Sequence, residues 1–438
     1  MCAVARILLL CWRDSTHPQG GGSERYLEHV ADGLAAAGHT VVYRTSRPRG
    51  APRSDVRRGL AGAGPSSAAA AGAGAGVTIS RGGGRFTVYP RALGAILLGR
   101  FGVGPLGRLR RPDVVVDTQN GVPFFSRFAT TAPVVVLVHH IHREQWPVAG
   151  WLVSRIGWWI ESRLSPRVHS GSQYVTVSLP SAEELVELGV APERIAVVRN
   201  GLDPLPDGVR PGGPGTRADG PHLAVLSRLV PHKHVEDALD VVAALRGTHP
   251  GLVLDVIGSG WWSDRLREYA AERGLDRDQD RDRDRGQDGA GPRHPAGAVV
   301  FHGHVDEATK HRILAAATLH LMPSRKEGWG LAVSEAAQHG VPTIGYHHAA
   351  GLRDSIDDGE TGLLVDDVAA MTTATERLLA DSELRDRMGE AARRKAAALS
   401  WPATASAMAE VLTAVTEGRR VTGVIGGPPR RGSSPPDR

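Results

Sequence analysis

Two runs constrain this chain more than anything else in it: VVVDT at 114–118 and VVVLVHH at 134–140. Both open on consecutive β-branched residues with no polar alternation. A strand with one wet face alternates apolar and polar; a run without alternation belongs to a strand buried on both sides, as in a parallel sheet covered by helices. The same strand-then-helix rhythm fills the chain. ARILLLCW leads through a Gly-rich loop to YLEHVADGLAAAG, and HLAVL leads through VPHKH to VEDALDVVAAL. Alternation of this kind in both halves predicts an α/β protein with two doubly wound, Rossmann-like domains facing across a cleft.

Domain limits follow from breaks in the rhythm. The first domain is expected over 1–205, a Pro/Gly-rich linker over 206–221, and the second domain over 222–400. A helix at 401–417 follows, then an Arg/Gly/Pro-rich tail over 418–438 that is expected to be disordered. Residues 47–76, with their Ala/Gly tract, read as a mobile connection. SAEELVELG reads as a helix capped by Ser181. WLVSRIGWWIESRL (151–164) reads as a helix packed on the sheet; its aromatic and basic content also fits a face that meets a membrane or a lipid-linked acceptor.

Composition narrows the class. The net charge is +5 on 52 basic and 47 acidic residues, with no basic stripe that would call for a nucleic-acid partner. Cys2 and Cys11 are the only cysteines, so no disulfide framework is expected and a reducing cytoplasm fits. The opening MCAVARILLLCW is short and interrupted by Arg6, which suits a buried strand better than a signal peptide, and no run is long enough to span a bilayer. The Asp-x-Asp repeats of 276–292 alternate in sign and read as a solvated insertion, not as a metal motif.

The chemistry concentrates in 319–365. LHLM is a strand closed by Pro323; Gly328, Trp329 and Gly330 make a turn, and a helix begins at Leu331. Such a turn aims backbone N–H groups and the positive end of a helix dipole at one point, an anion site. Glu327 precedes the turn and Glu335 lies on the helix, so two carboxylates flank the anion. A nucleotide-sugar explains the combination: a diphosphate for the N–H groups, a ribose diol and sugar hydroxyls for the acids. Arg228 and Lys233 follow another strand end, where two cations can clamp a diphosphate. His139 stands at the end of VVVLV, where catalytic groups of such sheets collect. Its neighbours His140 and His142 lack further metal ligands nearby, so no metal is expected.

KEGWGLAVSEA (326–336) is similar to the glutamate-x7-glutamate motif of retaining glycosyltransferases, and the chain resembles glycosyltransferase family 4, of the GT-B fold. The resemblance covers most of 5–417 and is most specific in 224–365. It implies that Gly21 and Gly22 face the donor phosphates and acceptor, that His139 contacts the transferred sugar, and that Arg228 and Lys233 hold the diphosphate. It places Gly258 in a G-x-G loop, His304 and Val305 beside the base, and the N–H groups of Gly328, Trp329, Gly330 and Leu331 on the phosphates. Glu335 takes the ribose and Glu327 the transferred sugar. Ala350 departs from the pattern, standing where the family usually has a second glycine. The expected activity is metal-independent, retaining transfer of a hexose from a nucleoside-diphosphate sugar, the donor substrate, to a hydroxyl of a glycan, glycolipid or small molecule, with no cofactor. A nucleotide-sugar epimerase of the same fold and a non-catalytic sugar-nucleotide binder are the alternatives. A dinucleotide-dependent oxidoreductase is disfavoured, because Gly20–Gly22 comes too late after the first strand and lacks G-x-G-x-x-G spacing.

Overall fold

The structure, a computed structural model, describes residues 4–17, 20–58, 76–143, 146, 150–213, 216–218, 220–275 and 298–426. The Asp/Arg-rich 276–292 segment, the 59–75 part of the Ala/Gly tract, and 427–438 lie outside the described residues. The chain divides into two compact units, Met1–Asp203 with Ala398–Arg438, and Pro204–Ala397.

The first unit begins β1 (Arg6–Leu10), α1 (Gly22–Ala36), β2 (Thr40–Thr45), β3 (Ser54–Arg58), β4 (Gly76–Arg81) and α2 (Val88–Gly99). It continues β5 (Val114–Gln119), β6 (Val134–Val138), α3 (Trp151–Trp159), α4 (Ser165–Val168), β7 (Gln173–Thr176), α5 (Leu179–Glu187) and β8 (Ile195–Val197). The second unit begins β9 (His222–Leu226), α6 (Val235–Leu245), β10 (Val253–Ile257), α7 (Ser263–Glu272), β11 (Val299–Gly303) and α8 (Glu307–Ala316). Then come β12 (Leu319–Met322), α9 (Leu331–Gln338), β13 (Thr343–Tyr346), α10 (Leu352–Ser355), β14 (Gly362–Val365), α11 (Val368–Ala380) and α12 (Ser382–Ala397). The chain returns to the first unit with α13 (Trp401–Thr416) and β15 (Gly423–Val424).

The first sheet runs β15-β8-β7-β6-β5-β1-β2-β4-β3, parallel except for the antiparallel β3–β4 pair at its edge. The second runs β11-β10-β9-β12-β13-β14 and is parallel throughout. In each the strand order reverses once, between β1 and β5 and between β9 and β12. In open α/β sheets ligands bind past the strand C-termini at that reversal. β5 and β6, the two β-branched runs, are central and buried on both faces. Asp117 of β5 is the one acid in those two strands; its carboxylate accepts the Phe124 and Ser126 N–H groups at 2.7 and 2.9 Å and so anchors the following loop.

Several expectations are corrected. Residues 418–426 are ordered: β15 pairs with β8, and the Gln173 side chain exchanges two bonds with the Val421 backbone, at 2.7 and 3.0 Å. Pairing satisfies the otherwise open edge of β8, which composition alone does not reveal. The 47–76 connection contains β3, whose edge position lets it carry the polar sequence SDVRR. The cap of α5 is Ser178; its Oγ accepts the Ser181 N–H at 3.3 Å, and Pro180 fits the first helical turn, where no backbone donor is needed. Gly212, in the expected linker, is bound within the second unit: its N–H reaches His339 Nδ1 at 3.0 Å and its carbonyl takes Arg393 at 2.5 Å. Helix α3 packs on the sheet side only through Trp158, which lies against the core; its other large apolar side chains point outward. Helix α13 packs on α1, where Trp401 stacks on His29 with ring centroids 4.2 Å apart.

Candidate active site

The second unit brings Lys233 and Glu327 together at the β9/β12 reversal. After β9 the chain runs through Arg228 to a short 3-10 turn at Pro231–Lys233, then through His234, held at φ +47° immediately before α6. After β12 it runs through Glu327 and the glycine turn into α9. The two segments meet, because the Arg325 N–H donates to the His232 carbonyl at 3.0 Å and the Lys233 ammonium is bonded to the Glu327 carboxylate. Lys233 is expected on the diphosphate; the structure shows it holding the acid. Arg228 is exposed at the same strand end. Burial, reinforced by the Lys233 charge, pushes the His232 imidazole down to about 4, so it adds no cation at neutral pH.

The glycines are explained by close approach. Gly330 stands at φ +87° as the residue before α9, in the left-handed region that favours glycine. A Cβ on Gly351 would lie 2.4 Å from the Glu327 carbonyl, so the loop after β13 presses directly on the Glu327–Gly328 peptide. The tight approach is therefore made at Gly351, next to Ala350. Gly258 and Gly260 are required by close packing. A Cβ on either would come within 1.9 or 2.0 Å of the Ser227 or Leu229 carbonyl, so both glycines make room for the loop that delivers Arg228.

Trp329 is buried and its Nε1 donates to Ser334 Oγ at 3.1 Å. Its indole thus locks the turn, leaving only its backbone for a ligand. Leu331 is the first residue of α9, Gly328 is half-buried, His304 is exposed and Val305 half-buried. Glu335 has a partner the sequence reading missed: Lys310 Nζ bonds its Oε1 at 2.7 Å and Glu307 Oε2 at 2.6 Å. Burial by itself lowers the Lys310 pKa, but the Glu335 and Glu307 carboxylates outweigh it and hold it above the ordinary lysine value.

In the first unit, His139 follows β6 and is buried, with the Tyr26 ring edge-on at 5.0 Å. Burial pushes its pKa down to about 4, so it is a neutral imidazole, and its Nε2 has no hydrogen-bond partner among the described residues. His142 is taken up elsewhere: its Nδ1 lies 3.0 Å from the buried Glu161, a second residue that sequence reasoning missed. Gly21 and Gly22 form the start of α1, but the Gly21 N–H is used by Glu24 of the same helix at 2.8 Å, and Glu24 is itself paired with Arg13 at 3.0 Å. Among the described residues no helix is long and apolar enough to cross a membrane.

Residues 20–204 match the family described as Glycosyltransferase Family 4, and residues 220–381 match Glycosyl transferases group 1. The chain is 29% identical over 439 residues to a protein named glycogen synthase from Mycobacterium tuberculosis, covering 95% of this chain and 96% of that one. Its fold is similar to sucrose-phosphate synthase from Thermosynechococcus elongatus, with a TM-score of 0.70 at 19% identity over 94% of this chain and 99% of the other. Anabaena HepE, solved with UDP and glucose, gives a TM-score of 0.63 at 16% identity over 93% and 99%. With both halves matched in order and two parallel-sheet α/β units in place, the chain belongs to the family-4-like glycosyltransferases of the GT-B fold.

Proposed function

We propose that the protein moves a hexose from a nucleoside-diphosphate sugar to an acceptor hydroxyl with retention of anomeric configuration and without a metal ion. The observation that carries the reading is the Lys233–Glu327 pair beside the start of α9, at the point where the second sheet reverses its strand order. A lysine ammonium has three donors; one holds Glu327 and the others are available to a diphosphate, as is Arg228. The N–H groups from Gly328 to Leu331 and the positive end of α9 complete an electrostatic clamp on the leaving group. Glu335, fixed by Lys310, accepts from the ribose diol. Glu327 sits by the transferred sugar, where its charge opposes the positive charge that builds on the ring. His139, neutral and with Nε2 lacking a partner among the described residues, is assigned to a hydroxyl of that sugar.

The acceptor oxygen then bonds to the anomeric carbon on the face from which the diphosphate leaves, and the acceptor proton passes to the departing phosphate oxygen. HepE was solved with UDP, which makes UDP-sugars the first donors to try. The acceptor is a glycan, a glycolipid or a small molecule. The reaction is assigned to a reducing cytoplasm, where the buried Cys11 remains a free thiol.

Thermal-shift titration with UDP, GDP and ADP and their sugars, followed by NMR of the product's anomeric centre with and without EDTA, tests the reading. Stabilisation by one nucleoside diphosphate is expected, with the product keeping the donor's anomeric configuration in both conditions. An inverted product, or activity abolished by EDTA and restored by a divalent ion, would overturn the mechanism.

A further inference from the structure

Helix α3 packs Trp158 against the core and carries its other large apolar side chains on the outside. Trp151, Leu152, Val153, Ile156 and Trp159 are between 49% and 73% exposed, five of the sixteen large apolar side chains exposed among the described residues. The inner face of α3 is made by Gly157, against which the Trp146 ring lies, and by Trp158, packed on the core. Two indoles and three aliphatic chains left in water within nine residues mark a surface that something covers.

The charges around them decide what. Trp151, Arg155, Trp159, Arg163 and Arg167 recur at every fourth position through α3, a π turn at Ile160–Leu164, and α4. That spacing lays them along one stripe. All five are exposed, and the Arg155 guanidinium stands 5.4 Å from the centre of the Trp151 ring. The only acid between residues 150 and 172 is Glu161. It is fully buried and turned inward, accepting Trp146 Nε1 at 2.7 Å and the His142 N–H at 3.2 Å. Positive charge continues past the helix end: the Gly171 carbonyl accepts Arg194 Nη1 at 2.6 Å, and a Cβ on Gly171 would lie 3.5 Å from Arg127 Nη1.

We propose that this face docks the protein on an anionic lipid surface, with Trp151, Trp159 and their aliphatic neighbours at the headgroup–acyl boundary and Arg155, Arg163 and Arg167 on lipid phosphates. Indoles favour that boundary, and arginines bury their stems there while keeping the guanidinium on the headgroups. A second copy of the chain fits poorly, since a self-complementary contact across this stripe would set arginines against arginines. The docking stands independently of the donor chemistry.

The test is co-sedimentation of the full chain with extruded vesicles of phosphatidylcholine alone and of an equimolar phosphatidylcholine–phosphatidylglycerol mixture. The parent is expected to bind the anionic vesicles, to leave them at high salt, and to ignore the neutral ones. Removing three arginines in Arg155→Gln/Arg163→Gln/Arg167→Gln should weaken partitioning on the order of 100-fold. Trp151→Ser/Trp159→Ser should abolish retention and the accompanying blue shift in tryptophan fluorescence. Phe86→Ser, at another exposed aromatic, should bind as the parent does. Circular dichroism identical to the parent keeps the variants interpretable, and the arginine variant stands if the tryptophan variant misfolds. Failure of the parent to bind anionic vesicles, or binding that survives both variants, overturns the proposal. So does a parent dimer, seen by sedimentation velocity, that the tryptophan variant dissociates.

Discussion

Lys310→Met removes one charge and little volume, which makes it a clean probe of how Glu335 is held. The lysine side chain is 9% exposed and that of Glu335 16%, whereas Glu307, the other partner, is 53% exposed. The Glu307 contact is therefore a surface ion pair contributing about 0–1 kcal/mol. Losing the 2.7 Å bond to Glu335 leaves a mostly buried carboxylate without its cation, a cost of about 2 kcal/mol on the scale of bonds to charged groups. For a unit of this size that lowers the unfolding midpoint by roughly 4–8 °C. Because the pair holds Lys310 above its ordinary value of 10.5, this contribution is present below that pH and is lost as pH rises through the folded-state value. The functional effect is separate. An unanchored Glu335 loses its orientation toward the ribose, so nucleoside-diphosphate affinity should fall about tenfold, the equivalent of one charge-assisted bond weakened by about 1.4 kcal/mol. Calorimetric titration with the parent's preferred nucleoside diphosphate and its 2′-deoxy analogue reads this directly. The variant should lose the parent's preference for the ribonucleotide, and Lys310→Arg should restore part of it. Equal weakening for both nucleotides would refute the positioning argument, and so would an unchanged midpoint.

Three further outcomes follow from the same geometry. Arg228→Ala/Lys233→Ala should lose nucleoside-diphosphate affinity at about 1.5–3 kcal/mol per side chain with an unchanged circular dichroism spectrum; diphosphate binding equal to the parent's removes both from the site. Glu335→Ala should mainly weaken donor binding, while Glu327→Gln should lower kcat by about 10²-fold or more with donor affinity largely kept, and normal turnover by the glutamine variant ends the assignment. Burial holds His320 at about 3 and His339 and His139 at about 4; stability is therefore full above the unfolded value of 6.5 and falls as pH drops below it, by about 1.4 kcal/mol per histidine per pH step. Counting His232, also held at about 4, the second unit carries three of these four groups and should soften more steeply than the first between pH 6.5 and 5, and hydrogen exchange that is flat over that range would contradict it.

Legibility in the sequence tracks how local each feature is. β5 and β6 announced themselves because strands buried on both faces tolerate only apolar residues, whatever the rest of the chain does. β3 and β15 did not, because an edge strand has a wet side and can be as polar as SDVRR or as short as Gly423–Val424. The α3 segment was legible as a helix, but not in the direction its side chains face, since an apolar pattern marks a surface to be covered without saying whether protein or something else covers it. Ser178 and Ser181 both precede the helical pattern, and only the backbone shows which Oγ meets an N–H.

The candidate site divides along the same line. Glu327, Gly328, Trp329, Gly330, Leu331 and Glu335 lie within nine residues, so one turn and one helix bring them together and the sequence displays them as a group. Lys310 is 25 positions from Glu335, and Lys233 is 94 from Glu327; no periodicity links either pair. What links the second pair is the strand order, because β9 and β12 become neighbours only where the sheet reverses. A basic residue after one strand and an acid after another remain two unrelated surface charges until that order is known. Once it is, each acid is seen to be held by a lysine from a different element, Glu327 by the turn after β9 and Glu335 by α8. The two carboxylates are thus fixed independently, which is why substitutions at Lys233 and Lys310 should separate, the first acting on the diphosphate and turnover, the second on the ribose alone.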